Sequence, residues 1–277
     1  MWRYAFLSLC LLVAAQSSAF ADANRIVHLH TTDDVGITGT YYPVSQVPAP
    51  TVLLIHSVAR SRATWNDFAK LLQQNGIAAL EIDLRGHGDS TRKLTADGPV
   101  TLDFHNFTGN DYQDMLLDVE AAIDWLQGQA EVDHQRIAIA GESVGANLAL
   151  RYAAINPDLA AVVVFSPGIN YRSVRTDDVI AQIGRMPLRI LVSHNDPFAF
   201  ESCKRLVDIQ KEAGIPVPAG EMTVCTGNLH GSDMLVGVRK LPEIVLAWLK
   251  QVFAPGPARS ATTPPSDPSP DATAPAK

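Results

Sequence analysis

Arg136-Ile137-Ala138-Ile139-Ala140 runs directly into Gly141-Glu142-Ser143-Val144-Gly145, and this stretch decides the fold. The first five residues read as a strand, and Ser143 to Ala154 reads as a helix. A G-x-S-x-G pattern fixes only three positions in five and says little by itself. Set between a strand and a helix, it puts the serine on a sharp, strained turn. Nothing bulky fits two residues to either side of such a serine, and Gly141 and Gly145 meet that demand. The alternative is a glycine-flanked helix start with Ser143 as its N-cap.

Outward from this stretch, short apolar runs alternate with longer helical patterns, the signature of a mostly parallel sheet with helices on both faces. Residues Ile26 to Thr31 and Ile37 to Tyr42 read as two strands joined by the turn Asp33-Asp34-Val35-Gly36. Thr51 to His56, Ile77 to Asp83, Ala161 to Phe165, Leu188 to Ser193 and Glu221 to Cys225 add five more, so the expected sheet has eight strands. Helices are expected over Ala63 to Gln74, ended by Asn75-Gly76, over Phe200 to Ala213, and along Leu241 to Leu249. The clearest helix carries Tyr112, Met115, Leu116, Val119, Ala122, Ile123 and Leu126 at steps of three and four.

A serine hydroxyl is a poor nucleophile at neutral pH and needs a base in hydrogen-bond reach. Of the 8 histidines, His230 lies in Gly227-Asn228-Leu229-His230-Gly231, between the last strand and the last helix, where a side chain reaches back over the sheet edge. His28 and His30 alternate on an early strand, and His105 and His134 fall in polar connections. A carboxylate must then fix the imidazole tautomer. Asp196, in Ser193-His194-Asn195-Asp196-Pro197, follows a strand and projects at its carboxyl end; an Asx-turn before proline is the plainer reading. Asp177 and Asp178 are the rival carboxylates, at an expected helix start.

The order Ser143, Asp196, His230 and the strand pattern together resemble the α/β-hydrolase family over about Ile26 to Phe253. The resemblance implies a three-layer α/β fold. It also implies an oxyanion hole from two backbone amides, Val144 after the nucleophile and Val58 in His56-Ser57-Val58, where Ser57 stands in place of the family's glycine. Asp83-Leu84-Arg85-Gly86-His87-Gly88-Asp89-Ser90 is similar to the family's D-x-R-G-x-G-x-S turn, a structural element, so His87 is not counted as catalytic. Serine at position 143 sets the chain apart from relatives with aspartate or cysteine at the elbow. About 22 residues separate Phe165 from Leu188, too few for a large helical cap. The pocket is therefore expected to be open, shaped by Ser166 to Arg185 and Thr91 to Asn110.

The net charge of −7 and the lack of a basic stripe point to a small-molecule or neutral-polymer partner, not a nucleic acid or an anionic membrane. Arg3, the apolar run from Tyr4 to Ala15, and Ala19-Phe20-Ala21 read as an export signal over residues 1–21, cleaved before Asp22. The run is shorter than the roughly 20 residues of a membrane span. This reading gives a periplasmic or secreted protein with no membrane span in the mature chain. Residues 22–253 form the expected catalytic domain. The last 24 residues hold 7 of the 18 prolines, so 254–277 is expected to be a disordered tail. Cys203 and Cys225 stay in the mature chain, either bridged or as two buried thiols.

These readings converge on a serine hydrolase of carboxylic esters that needs no cofactor or metal. A peptidase or amidase on the same scaffold is one alternative, and a binding protein that has lost catalysis is another.

Overall fold

Strands that are apolar at successive positions must be covered on both faces, and the chain achieves this with helices on either side of one sheet. The computed structural model describes residues 23–215 and 222–254. The expected export signal and, apart from Ala254, the expected tail lie outside these residues.

The strands are β1 (Arg25–His30), β2 (Val35–Tyr42), β3 (Ala49–Ile55), β4 (Ala78–Ile82), β5 (Arg92–Thr95), β6 (Gly98–Thr101), β7 (Val132–Glu142), β8 (Ala161–Phe165), β9 (Asn170–Tyr171), β10 (Val174–Arg175), β11 (Leu188–Ser193) and β12 (Met222–Cys225). The helices are α1 (Asn66–Gln73), α2 (Gly109–Asp114), α3 (Leu116–Gln127), α4 (Val144–Ile155), α5 (Pro197–Glu212), α6 (Asp233–Gly237) and α7 (Leu241–Phe253). The main sheet runs β12-β11-β8-β7-β3-β4-β2-β5-β6, with β1 on β2. From β12 to β4 the strands are parallel, and β2, β1, β5 and β6 join antiparallel.

All eight expected strands are present, but among the described residues the sheet has ten. The two additional strands, β5 and β6, form a hairpin inside the segment expected to be a loop. Its residues are mostly exposed, so no apolar run announced it. A further small hairpin, β9 and β10, stands apart from the main sheet after β8.

Alternation along the central strands divides the core in two. Leu53, Ile55, Ile137 and Ile139 face one layer with α3, α4 and α5, while Val52, Leu54, Ala138 and Ala140 face the other with α1 and α7. The helix expected over Tyr112 to Leu126 is broken at Met115 into α2 and α3, although Tyr112, Met115, Val119, Ala122, Ile123 and Leu126 are all buried as their spacing requires. Cys203 and Cys225 are both free and buried, which answers the open question of a bridge.

This topology positions the site. β7 lies at the centre with β3 on one side and β8 on the other, and loops leaving the carboxyl ends of parallel strands meet along one edge.

Candidate active site

Ser143 occupies the turn between β7 and α4 with φ 53° and ψ −118°, a conformation that costs a non-glycine residue energy. The turn is held by its neighbours: the Ser143 amide donates to the Phe165 carbonyl at 2.9 Å. A Cβ at Gly145 would stand 2.5 Å from the His56 oxygen and 2.6 Å from the Ile55 oxygen. A Cβ at Gly141 would collide with the Gly145 backbone. Both glycines are therefore required by close backbone approach.

Asp196 begins α5 and uses its two oxygens separately. Oδ1 accepts from the Ala199 amide at 3.4 Å as an N-cap, with Pro197 at the first helical position, and Oδ2 accepts from His230 Nδ1 at 2.6 Å. The turn chemistry of Asp-Pro and the pairing with histidine are thus compatible. The Asp196 side chain is 15% exposed and that of His230 43% exposed, so the pair sits at the rim of the protein. Asp177 and Asp178 are occupied elsewhere, by Arg175 and Arg151.

The loop carrying His230 is anchored at several points. Gly231 has φ 60° and its amide donates to Ser166 Oγ at 3.1 Å, while the Ser232 amide donates to Glu142 Oε2 at 2.7 Å. A side chain at Gly231 would run into the Glu142 carboxylate. Glu142 Oε1 also accepts from the Ser57 amide at 3.1 Å. A single carboxylate, 1% exposed and next to the nucleophile, thereby ties the loop after β3 to the loop after β12. The sequence reading passed over Glu142 as the free position of the motif.

Ser57 does not take up the left-handed conformation that glycine would favour; in this loop Ala59 does, with φ 62°. The preceding His56 is fully buried and pinned: its Nδ1 donates to the Ser57 carbonyl at 2.7 Å, and its Nε2 accepts from the Leu84 amide at 2.9 Å. Burial lowers the His56 pKa to about 3, so the ring is a neutral strut. Val144 is the first residue of α4, where backbone N–H groups lack helical partners.

Tyr171, on β9, is the other residue that sequence reasoning missed. Its ring stands edge-on to the His230 imidazole with centroids 6.2 Å apart, which brings the phenol into the neighbourhood of Ser143. The structure thus joins Asp196 to His230 directly and sets the Tyr171 ring against that imidazole. Among the side-chain hydrogen bonds of the described residues there is none from Ser143 to His230 or to Tyr171. Position alone, shortly after a strand end beside the elbow, is the one signal that could have drawn attention to Tyr171.

The D-x-R-G-x-G-x-S turn is structural. Asp83 accepts from the Arg62 and Asp89 amides at 2.7 and 2.9 Å, and Ser90 Oγ accepts from the Thr38 amide at 2.8 Å. Arg85 is bound between Asp33 and Asp118. Among the described residues, no group of three His, Cys, Asp or Glu side chains is arranged to hold a metal, and no helix is long and apolar enough to cross a membrane.

The family model described as serine aminopeptidase, S33 (Hydrolase_4) matches residues 46–200, more than half of the chain. The chain belongs to this family. That match spans the oxyanion-loop candidate, the elbow and Asp196. Among curated proteins, the chain is 32% identical over 152 residues to the uncharacterized protein Rv2307c of Mycobacterium tuberculosis (strain ATCC 25618 / H37Rv), covering 54% of this chain and 48% of that one. It is 29% identical over 152 residues to the esterase FrsA of Yersinia pestis (strain Pestoides F), covering 54% of this chain and 32% of that one. The chain thus spans half or less of the length of these relatives. Among solved structures, the α/β hydrolase GrgF from Penicillium sp. sh18 superposes with a TM-score of 0.68 at 16% identity, covering 84% of this chain and 99% of that one. The Pyrococcus furiosus esterase Pf2001 gives 0.62 at 18% identity, covering 84% and 94%. The architecture is that of the α/β hydrolases.

Proposed function

We propose that the chain is a serine hydrolase acting on carboxylic esters through an acyl-enzyme on Ser143. The observation that carries this reading is the pairing of Asp196 with His230 Nδ1, on the same sheet edge as a serine held at a strained elbow. An Nδ1–H donated to Asp196 leaves Nε2 as the basic nitrogen of the neutral ring.

During acylation, Ser143 Oγ bonds to the acyl carbon while its proton passes to His230 Nε2. The negative charge moves to the carbonyl oxygen, where the Val144 and Val58 amides receive it. The Ser57 amide is already committed to Glu142, so the next amide along the loop takes this role. Collapse expels the alcohol, which takes the proton from His230; water then repeats the sequence to release the acid. No step calls for a cofactor or metal.

Replacing Ser143 by Ala is expected to lower turnover of p-nitrophenyl acetate and butyrate by about 10⁴-fold or more, with the fold intact. Turnover surviving that change would overturn the assignment. The esterases among the relatives favour esters, whereas the family's description as aminopeptidases favours the amide reading. A chromogenic peptide panel measured beside the ester series separates the two.

The export signal supports a periplasmic or secreted enzyme whose catalytic domain begins at Asp22. Amino-terminal sequencing of protein from the extracytoplasmic fraction should start at Asp22. A cytoplasmic chain starting at Met1 contradicts the proposal.

A further inference from the structure

Against the His230 imidazole stands a phenol that the proposed mechanism does not use. We propose that Tyr171 is a catalytic residue that donates a hydrogen bond to the oxygen of the departing alcohol, adapting the site to unactivated alkyl esters. The inference rests on the ester-hydrolase reading above.

The placement of the ring is built into the fold. A Cβ at Gly168 would stand 2.5 Å from Tyr171 Cε2, so this glycine makes room for the aromatic face. Both flanks of the β9–β10 hairpin are tied to Asn147, one turn into the helix that starts at the nucleophile: its Nδ2 donates to the Val174 carbonyl at 2.7 Å, and its Oδ1 accepts from the Gly168 amide at 3.0 Å. Asn147 is completely buried. The Tyr171 ring also packs on Phe198, with centroids 5.2 Å apart. Nucleophile and phenol are therefore fixed to one helix.

Strand order decides which oxygen the phenol serves. The Val58 loop leaves β3, on one side of β7, and Tyr171 follows β8, on the other. The carbonyl oxygen turns toward the amides on the β3 side. Tyr171 instead stands edge-on to the His230 imidazole, on the side where the leaving oxygen must sit to take its proton. Burial, reinforced by the Asp196 charge, pushes the phenol above its ordinary range, so it retains its proton as a donor.

When the tetrahedral intermediate collapses, the bond from the acyl carbon to the alcohol oxygen breaks and its electron pair stays on that oxygen. His230 delivers the proton to the same oxygen. Tyr171 keeps its own proton and stabilises the charge that develops before the transfer is complete. The better the alcohol already bears negative charge, the less this donor contributes.

The test compares ethyl butyrate with p-nitrophenyl butyrate, which share an acyl group, using the full chain. Tyr171→Phe retains the ring contacts. It should lower kcat/KM about 10–100-fold for the ethyl ester and less than about 3-fold for the nitrophenyl ester. Gly168→Ala, which displaces the ring without removing the phenol, should reproduce the split, and serves if Tyr171→Phe does not fold. Equal losses on both esters, or no loss on either, would overturn the role of Tyr171 while leaving the esterase reading intact. A wild-type chain inactive on both esters would instead sink the esterase reading and this inference with it.

Discussion

Asp196 carries a helix cap on one oxygen and an imidazole on the other, and a single substitution separates the two tasks. Asparagine caps helices well but leaves the imidazole in the wrong tautomer. Asp196→Asn should therefore lower kcat by about 10³–10⁴-fold while the urea midpoint stays close to wild type; comparable activity in the variant would remove Asp196 from the site. Glu142 works differently, because it touches two loops and no reacting atom. Glu142→Ala strands the buried Ser57 and Ser232 amides, each costing about 1–3 kcal/mol, and should lower both thermal stability and kcat. An unchanged melting temperature would show that the loops hold without it. The placing of Ser143, Asp196 and His230 on one sheet edge was legible in the sequence because each follows a strand end in a recognisable setting. The contacts of Glu142 and Tyr171 were not, since they arise from what these residues approach in space.

At the scale of elements, the strand-to-helix turn at 141–145 depends on backbones closer than a methyl group allows. Gly145→Ala must push against the carbonyls of Ile55 and His56, and should destabilise the protein by about 2–4 kcal/mol in urea unfolding. Tolerance of alanine there would mean that the turn has slack. The central strands were readable because burial on both faces demands continuous apolar runs, as in Val52 to Ile55 and Val162 to Val164. The β5–β6 hairpin escaped because it leaves Leu94 and Val100 largely exposed and buries little. The break at Met115 escaped because a helix may change direction without disturbing the three-and-four spacing of Tyr112, Met115 and Val119.

For the molecule as a whole, stability depends also on a carboxyl buried away from Ser143, Asp196 and His230. Glu81 is 1% exposed and borders a cavity of about 360 Å³ lined also by Arg62, Asp83 and Asp89, to which none of Ser143, Asp196 and His230 contributes. Its Oε1 accepts from the Tyr42 hydroxyl, whereas Oε2 has no protein partner. Burial raises its pKa from 4.5 to about 7, so the folded chain keeps a proton that the unfolded chain releases, and stability falls as pH rises between those values. Glu81→Gln should thus unfold like wild type near pH 4.5 and be more stable by about 1–3 kcal/mol above pH 7. An equal difference in urea midpoint at both pH values would contradict this. All of it serves one sheet edge on which a serine is claimed to be reactive, and a fluorophosphonate reads that claim directly, because it attacks only an activated hydroxyl. After labelling of the purified protein, peptide mass mapping should find the adduct on Ser143 and a rate slowed at least about 10³-fold in His230→Ala. An unmodified Ser143, or an adduct on another serine, contradicts the account.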